Sequence, residues 1–235
     1  MLITLKWDSS FLKRKIASLI ANSNSDVKKI AKDLNFIHKT RFDCIYLFVN
    51  IKFGSLLTIC NHQGWEPVEN RVEMIKKIEK KEIVSLLPVV TSIKRSKVKS
   101  LYSLAGQLSR ESRFFKDPFL RSKARKLYET WVYRSIVNKY AKKYFVALNR
   151  TIPVGLCTLR VREGALTVDL FVVKKTVRQK GIGTTLINIA QNWAVDNGYW
   201  TLKVITSKEN IPALKFYRKC GFRIHTESWV YHIWQ

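Results

Sequence analysis

The chain has 235 residues, 46% of them hydrophobic, and its 7 Trp, 9 Tyr and 12 Phe can fill one large core or two small ones. This composition excludes an intrinsically disordered chain. The net charge is +26, and 28 basic against 8 acidic residues follow Pro88. Such a positive field attracts a nucleotide cofactor, a nucleotide-linked substrate or RNA, unless it is only the solvated surface of a lysine-rich protein.

Signals for secretion, membrane insertion and metal binding are missing from the sequence. Residues 1–10 lack the basic start and apolar core of a signal peptide, and no apolar run approaches the ~20 residues that span a bilayer. The 4 cysteines form no CxxC pair and no cluster with histidine. We therefore expect a cytoplasmic protein without a metal site.

The second half of the chain alternates between strand-like and helix-like patterns. The predicted elements are a basic helix at 120–138, a hairpin of 144–148 and 154–160, a buried central strand at 165–173, a helix at 183–197, a strand at 201–206, a short helix at 210–220 and two final strands from Phe222 onward. This order predicts an α/β (α+β) fold with helices packed on a mixed sheet.

The chain also contains a weak internal repeat. A shift of 157 positions aligns residues 24–37 with 181–194, residues 45–50 with 202–207, and Gly64-Trp65 with Gly221-Phe222. The order helix, strand, helix, glycine-aromatic pair and strand therefore occurs twice, although residue identity between the copies is low. Either the match is coincidental or the first ~85 residues are a shortened, degenerate copy of the second half.

A turn with two glycines follows the predicted central strand and opens the next helix. Its residues are Arg178, Gln179, Lys180, Gly181, Ile182, Gly183 and Thr184. Glycine lets a ligand approach the backbone, and the free N–H groups and dipole of a helix N-terminus favour a phosphate. The spacing fits neither a Walker loop nor a dinucleotide fingerprint, and taken alone it is equally typical of a tight strand–helix connection.

A second motif occupies residues 210–222. Asn210 is placed to cap a helix, and Tyr217 lies two turns further along the same face. Taken alone, Tyr217 is more typical of core packing than of a functional group.

Together the two motifs resemble those of the GCN5-related N-acetyltransferase (GNAT) superfamily. The matching positions are Arg178, Gly181, Gly183, Asn210, Ala213, Phe216, Tyr217, Gly221 and Phe222. The resemblance implies a mixed, mostly antiparallel sheet with flanking helices, and acetyl-CoA as the donor. It further implies that the amides of residues 178–184 hold the pyrophosphate of coenzyme A, and that Asn210, Ala213 and Phe216 line the cofactor site together with the strand end at Phe171, Val172 and Val173. Tyr217 then protonates the leaving thiolate, which suits a side chain that stays protonated at neutral pH.

A finer resemblance, to the dTDP-fucosamine acetyltransferases, extends over most of the length and includes residues 7–12, 112–114, 119, 128–131, 190–194, 201–202, 213–215 and 229–234. It implies an acceptor amine on a nucleotide-linked amino-deoxy sugar, with Trp7, Arg113, Phe114 and Tyr128 as substrate-binding residues. It also implies a truncated GNAT-like domain at 1–88 before a catalytic domain at 89–235. We expect the first domain to wall the acceptor pocket or to serve stability or dimer formation.

The base that accepts the amine proton is not apparent from the sequence. Asp169, Glu209 and Glu163 are candidates, but Asp169 equally suits a strand residue paired with a lysine, and water can remove the proton of a weakly basic sugar amine. The 4 histidines, 38, 62, 225 and 232, are expected on the surface or in strands.

Two other functions remain open at this point. One is acetylation of a protein or antibiotic amine, and the other, less favoured, is a non-catalytic RNA- or ribosome-associated role. The first ~85 residues are expected to bind no coenzyme A, because under the shift Cys60 and Phe53 replace Tyr217 and Asn210, while residues 24 and 26 replace the two glycines.

Overall fold

The structure is a computed structural model that describes residues 2–21, 24–35, 37, 41–82, 88–162 and 164–235, and only the backbone of residues 24–26, 32, 33 and 35. Its strands are β1 (Ile3–Thr4), β2 (Ile16–Ala21), β3 (Cys44–Asn50), β4 (Pro67–Lys77), β5 (Val89–Val90), β6 (Lys143–Asn149), β7 (Ile152–Arg162), β8 (Ala165–Val173), β9 (Thr201–Ser207) and β10 (Arg223–Trp234). Its α-helices are α1 (Lys6–Leu12), α2 (Asn24–Asn35), α3 (Gly54–His62), α4 (Tyr102–Arg110), α5 (Arg113–Lys116), α6 (Arg121–Ile136), α7 (Ile182–Asp196) and α8 (Ile211–Lys219).

The chain divides into two compact units, and the first comprises Met1–Val72, Ser207–Glu209 and Thr226–Gln235. Its strand order is β1-β2-β3-β10, with β2 parallel to β3 and β10 antiparallel to β3. Its core is formed by apolar side chains of α2 and α3 against β2, β3 and β10, among them Leu19, Ile30, Leu47, Leu56 and Tyr231.

The second unit comprises Glu73–Thr206 and Asn210–His225. Its strand order is β4-β9-β8-β7-β6-β5, in which β8 and β9 are parallel and β5 to β8 are antiparallel neighbours. Leu156 packs with α4 and α6, whereas the adjacent Gly155 faces Leu186 of α7. Because consecutive strand residues point to opposite faces, helices cover both sides of this sheet. The predicted α/β fold with a mixed, mostly antiparallel sheet is confirmed.

Most of the predicted elements are found within two residues of their expected bounds, including the hairpin β6–β7, the buried strand β8 and the helices α6, α7 and α8. The prediction of two final strands is wrong, because β10 is one continuous strand of 12 residues. Its sequence contains no Gly, Pro, Asn or Asp that would impose a turn.

The repeat is visible in the backbone. Under the 157-residue shift β3 coincides with β9 and α3 with α8, end for end. The second residue after each of the two helices closes the same turn: Gly64 has φ +67° and Gly221 has φ +86°. The amide of Trp65 donates to Cys60 and that of Phe222 donates to Tyr217, both at 3.0 Å. The strand, helix and glycine turn of β3 and α3 therefore repeat those of β9 and α8.

The predicted domains 1–88 and 89–235 stay a prediction. The compact units follow contacts in space, so that β10 from Thr226 onward belongs to the first unit and β4 from Glu73 onward to the second. The compact units describe which residues contact one another, whereas the predicted domains describe which parts of the sequence share an origin. The first division therefore does not test the second.

We expect Gly64→Ala and Gly221→Ala each to lower the free energy of unfolding by about 1–2 kcal/mol, because a Cβ is unfavourable at positive φ. Gly106→Ala is the control: it lies within α4, where a Cβ would approach only Arg125, at 3.9 Å. Alanine there should stabilise by about 0.5–1 kcal/mol. Urea denaturation measures the free energy of unfolding of all three variants. A Gly64→Ala variant as stable as the wild type would contradict a positive φ at Gly64 and hence its equivalence with Gly221.

Candidate active site

The glycine turn places a helix N-terminus directly after β8. Gly181 precedes α7 with φ +79°, and its carbonyl accepts the hydrogen bond of the Thr185 amide at 3.0 Å. The amides of Ile182, Gly183 and Thr184 belong to the first turn, where N–H groups have no intrahelical partner. This end of α7 can therefore hold an anion through its amides and its dipole.

The connection before α7 is basic and held at two points. The Arg178 side chain donates from Nε to the Val173 carbonyl at 3.2 Å, and the Lys175 amide donates to Gln107 of α4 at 2.9 Å. Arg178, Gln179 and Lys180 are exposed. The loop thus combines a fixed backbone with positive side chains that face solvent.

The two glycines of this turn have different reasons to lack a side chain. A Cβ on Gly183 would lie 3.1 Å from ring atoms of Phe216 and 3.7 Å from Val173, whereas a Cβ on Gly181 would meet nothing within 4 Å. Gly183 therefore permits close packing of α7 against α8, and Gly181 supplies the left-handed turn. The sequence predicted the anion turn but could not separate these two roles.

The parallel strands β8 and β9 part in front of this turn. Their pairing extends from Leu166↔Leu202 to Val168↔Val204. Both strands are described over their full length, and the pairing between them does not continue beyond Val168. Asp169 follows at a bulge where β8 shifts register against β7. The backbone of β8 after Val168 therefore faces a slot on the β9 side, along Phe171, Val172 and Val173.

Helix α8 borders the same slot and begins as the sequence predicted. The Asn210 side chain accepts a hydrogen bond from the Ala213 amide at 3.2 Å, which is an N-cap. Its amide nitrogen donates to Glu111 at 2.9 Å. Glu111 lies 99 residues earlier in the chain, and sequence reasoning did not identify this contact.

Tyr217 is buried at the α8 side of β8. Its ring centroid lies 5.9 Å from that of Phe171, 5.2 Å from Phe216 and 5.6 Å from Phe222. Burial raises the pKa of its hydroxyl above the ordinary value, and the neighbouring Cys157 and Cys220 raise it further. The hydroxyl is therefore protonated throughout the physiological range, as a proton donor at the slot requires.

Asp169 is bound by two partners of the second unit. Its carboxylate forms an ion pair with Arg162 and accepts a hydrogen bond from the Trp131 indole at 2.9 Å, while its side chain is 1% exposed. The basic partner is an arginine rather than the lysine that the strand-pairing interpretation named. A catalytic role for Asp169 stays a prediction.

Three of the four predicted acceptor residues come together. The Phe114 ring meets Tyr128 edge-on at 6.4 Å, Tyr128 meets Trp131 at 5.5 Å, and Arg113 lies over Phe114 at 4.7 Å. Phe114 is only 6% exposed, so it packs in the core. Trp7 belongs to the first unit, where it stacks on Phe11 at 5.3 Å.

The remaining acid and histidine candidates are placed as follows. Glu209 accepts a hydrogen bond from Ser207, His62 and His225 are exposed, and His232 lies in β10 beside Tyr46. Glu163 and His38 lie outside the described residues.

A metal site and a membrane-spanning helix are both absent from the described residues. No group of three or more His, Cys, Asp or Glu side chains there could hold a metal ion. None of the helices in the described ranges combines the length and apolar character that crossing a membrane needs.

The equivalent place in the first unit is closed. There β2 pairs with β3 from Ile16↔Cys44 to Ala21↔Val49, and Phe53 makes no side-chain cap. Cys60 is hydrogen-bonded to Tyr231, and burial raises the pKa of its thiol to about 11. This closed ladder supports the prediction that the first ~85 residues bind no coenzyme A.

Comparisons with known proteins agree with this geometry. Residues 107–222 match the family described as Acetyltransferase (GNAT) family. The chain is 26% identical over 136 residues to the spore coat polysaccharide biosynthesis protein SpsD of Bacillus subtilis, an alignment covering 57% of this chain and 47% of that protein. It is 32% identical over 91 residues to streptothricin acetyltransferase A of Bacillus subtilis, covering 38% of this chain and 53% of that one. The chain thus spans about half the length of these curated relatives.

Solved structures show the fold over nearly the whole chain. A GCN5-related N-acetyltransferase from Sphaerobacter thermophilus matches with a TM-score of 0.59 at 13% identity, covering 93% of this chain and 73% of that one. A tandem GNAT protein from the clavulanic acid biosynthesis pathway matches with a TM-score of 0.61 at 12% identity, covering 93% and 75%. The chain therefore has the GNAT fold, and its residues 107–222 match the model of the GNAT acetyltransferase family, whose members use acetyl-CoA as the acetyl donor.

Proposed function

We propose that this chain is an N-acetyltransferase that moves acetyl from acetyl-CoA to the amine of a nucleotide-linked amino-deoxy sugar, of the dTDP-4-amino-4,6-dideoxyhexose type, for surface polysaccharide synthesis. The observation that carries the transferase assignment is the early end of the β8–β9 ladder beside the N-terminus of α7. The open edge of β8 offers unpaired backbone groups to the amide-bearing pantetheine arm of coenzyme A. The N-terminus of α7 offers an anion site for its pyrophosphate.

Different residues of the second unit bind the different parts of coenzyme A along this slot. The first-turn amides of α7, with Arg178 and Lys180, hold the pyrophosphate, while Phe171 to Val173 bind the pantetheine arm. Bound acetyl-CoA supplies a thioester carbonyl that an amine can attack directly. An amide of the open β8 edge donates to the carbonyl oxygen as negative charge develops there.

Tyr217 supplies the proton that the leaving sulfur needs. A buried phenol with a raised pKa remains neutral and presents its O–H to the sulfur as the C–S bond breaks. Asp169 is already bound by Arg162 and Trp131, so we propose water as the acceptor of the amine proton.

Two observations support the sugar-nucleotide acceptor. The net charge of +26 favours a substrate that carries phosphates, and one relative is described as a polysaccharide biosynthesis protein. A second candidate, acetylation of an antibiotic amine, is favoured by the similarity to streptothricin acetyltransferases, 34% and 32% identical over short segments. Thiol release measured over panels of nucleotide amino sugars, aminoglycosides, streptothricin and lysine peptides tests the choice. A preference for streptothricin would replace the first candidate by the second.

We expect Tyr217→Phe to reduce kcat by ~10²–10⁴-fold while the Kd of acetyl-CoA changes little, because phenylalanine keeps the packing but loses the proton. Thiol release and calorimetry measure the two quantities. In the wild type, kcat should show no decline from ionisation of Tyr217 up to about pH 9, since burial raises its pKa. Normal turnover by the variant would reduce Tyr217 to a packing residue.

We expect Gly181→Asp to abolish acetyl-CoA binding, because its carboxylate would repel the pyrophosphate at the α7 N-terminus. Gly164→Asp is the matched control, since Gly164 also has positive φ (+76°) and nothing within 4 Å of an added Cβ. Both variants carry the same backbone strain, so calorimetry isolates the effect on the ligand. Equal acetyl-CoA affinities in the two variants would remove the anion-site assignment.

We expect Asp169→Asn to destabilise the fold, because it leaves the Arg162 charge without its counter-ion at a buried bulge. Arg162 is 35% exposed, so the loss should lie between the ~1 kcal/mol of an exposed pair and the ~3–5 kcal/mol of a buried one. Asp196→Asn, which breaks an exposed pair with Lys81, is the control and should cost less than about 1 kcal/mol. Equal unfolding midpoints would show that the Asp169 pair contributes no stability.

A further inference from the structure

The connection from α4 through α5 to the start of α6, residues 110–126, forms a strongly basic corner of the second unit. We call it the α5–α6 corner. It contains 7 basic residues, namely Arg110, Arg113, Lys116, Arg121, Lys123, Arg125 and Lys126, and 2 acidic ones, Glu111 and Asp117. All of the basic residues except Arg113 are exposed.

The two acids of this corner offset only part of its positive charge. Asp117 is 1% exposed and accepts a hydrogen bond from the Phe119 amide at 2.8 Å. Glu111 accepts from Asn210 at 2.9 Å. Glu129 of α6 offsets Arg125 and Lys126, at 3.0 and 3.9 Å. The 7 basic residues against 2 acids leave the corner with a net positive charge, most of it on exposed side chains.

Two aromatic rings face solvent between these cations. Phe119 is 66% exposed and Phe115 is 37% exposed. The Arg121 guanidinium lies over the Phe115 ring, 5.5 Å from its centroid, and donates to the Phe115 carbonyl at 3.0 Å. Exposed rings beside guanidinium groups are the combination that stacks a nucleobase and binds its phosphates.

The corner adjoins the slot between β8 and β9. Glu111, its second residue, touches Asn210 at the start of α8, and Gln107 one turn earlier in α4 accepts from the Lys175 amide next to the anion turn. An acceptor that inserts an amine into this slot must lay its remaining groups on a neighbouring surface. The α5–α6 corner is such a surface, and its charge is opposite to that of a diphosphate.

We propose that the α5–α6 corner is the binding site for the nucleoside diphosphate of the acceptor, with the base on Phe119 and the phosphates on Arg121 and Lys116. This inference rests on the proposed function and names its substrate subsite. The exposed rings of Phe115 and Phe119, on either side of Asp117, take the substrate-binding role that the sequence predicted for Phe114, which is buried in the core. A single nucleotide is favoured over a nucleic-acid strand because the corner adjoins the slot in which the amine must react. Trp200, another strongly exposed aromatic of this unit among the described residues, lies between α7 and β9 in the sequence.

Calorimetric titration of thymidine diphosphate into the full chain, with and without saturating coenzyme A, tests the proposal. We expect binding in both conditions, weakened roughly 5- to 150-fold by Phe119→Ala, the range for one base stacked on one aromatic ring. Arg121→Ala should weaken it as well, and the Kd of acetyl-CoA should be unchanged in both variants. Trp200→Ala, a matched loss of an exposed ring, should leave the affinity for thymidine diphosphate unchanged.

Any of the following results would overturn the proposal. The first is displacement of thymidine diphosphate by coenzyme A, which would assign the phosphates to the donor site. The second is an oligoribonucleotide that binds more tightly than the diphosphate and loses affinity in Phe119→Ala, which would make the corner a nucleic-acid surface. The third is unchanged binding in both corner variants. If thymidine diphosphate fails to bind while amines still drive thiol release, the subsite falls and the transferase stands. Absence of acetyl-CoA binding to the wild type would overturn the proposed function itself.

Discussion

The structure depends on the point at which the parallel strands β8 and β9 stop pairing. A parallel ladder pairs the N–H and C=O groups that face the partner strand, so those groups become available to a ligand only where the ladder ends. Here it ends at Val168, and the next residue, Asp169, sits at a bulge with its carboxylate held by Arg162 and Trp131. A buried carboxylate without those partners would be costly, so the ion pair stabilises the bulge and thereby the open slot.

The first unit has the same strand–helix sequence without an open ladder. Its parallel pair β2–β3 stays closed, and β2 ends at Ala21, with α2 beginning already at Asn24. In the second unit β8 ends at Val173 and α7 begins at Ile182, which leaves room for a basic turn with a left-handed glycine. An open ladder and a longer connection therefore occur together in one copy and are missing together from the other.

Local signals in the sequence were sufficient for the elements and for the two motifs. The cap at Asn210, the glycine turn before α7 and the buried β8 follow from residue type and spacing within a few positions. What could not be predicted depends on partners far apart in sequence. Register shifts leave no local pattern, so neither the bulge at Asp169 nor its pairing with Arg162 and Trp131 was foreseeable. The Glu111–Asn210 contact was not predicted either, because its two residues are 99 positions apart in the sequence.

The slot separates binding charge from reaction chemistry along α8. Asn210 and Tyr217 are seven residues apart, which is about 10 Å of helix, so the hydroxyl lies well away from the start of α8. Cations close to a phenol would lower its pKa, yet burial dominates at Tyr217 and raises it. In the proposed function, the basic turn holds a charged pyrophosphate while burial keeps Tyr217 neutral. Burial thus lets a strongly basic protein keep the protonated tyrosine that the proposed transfer requires.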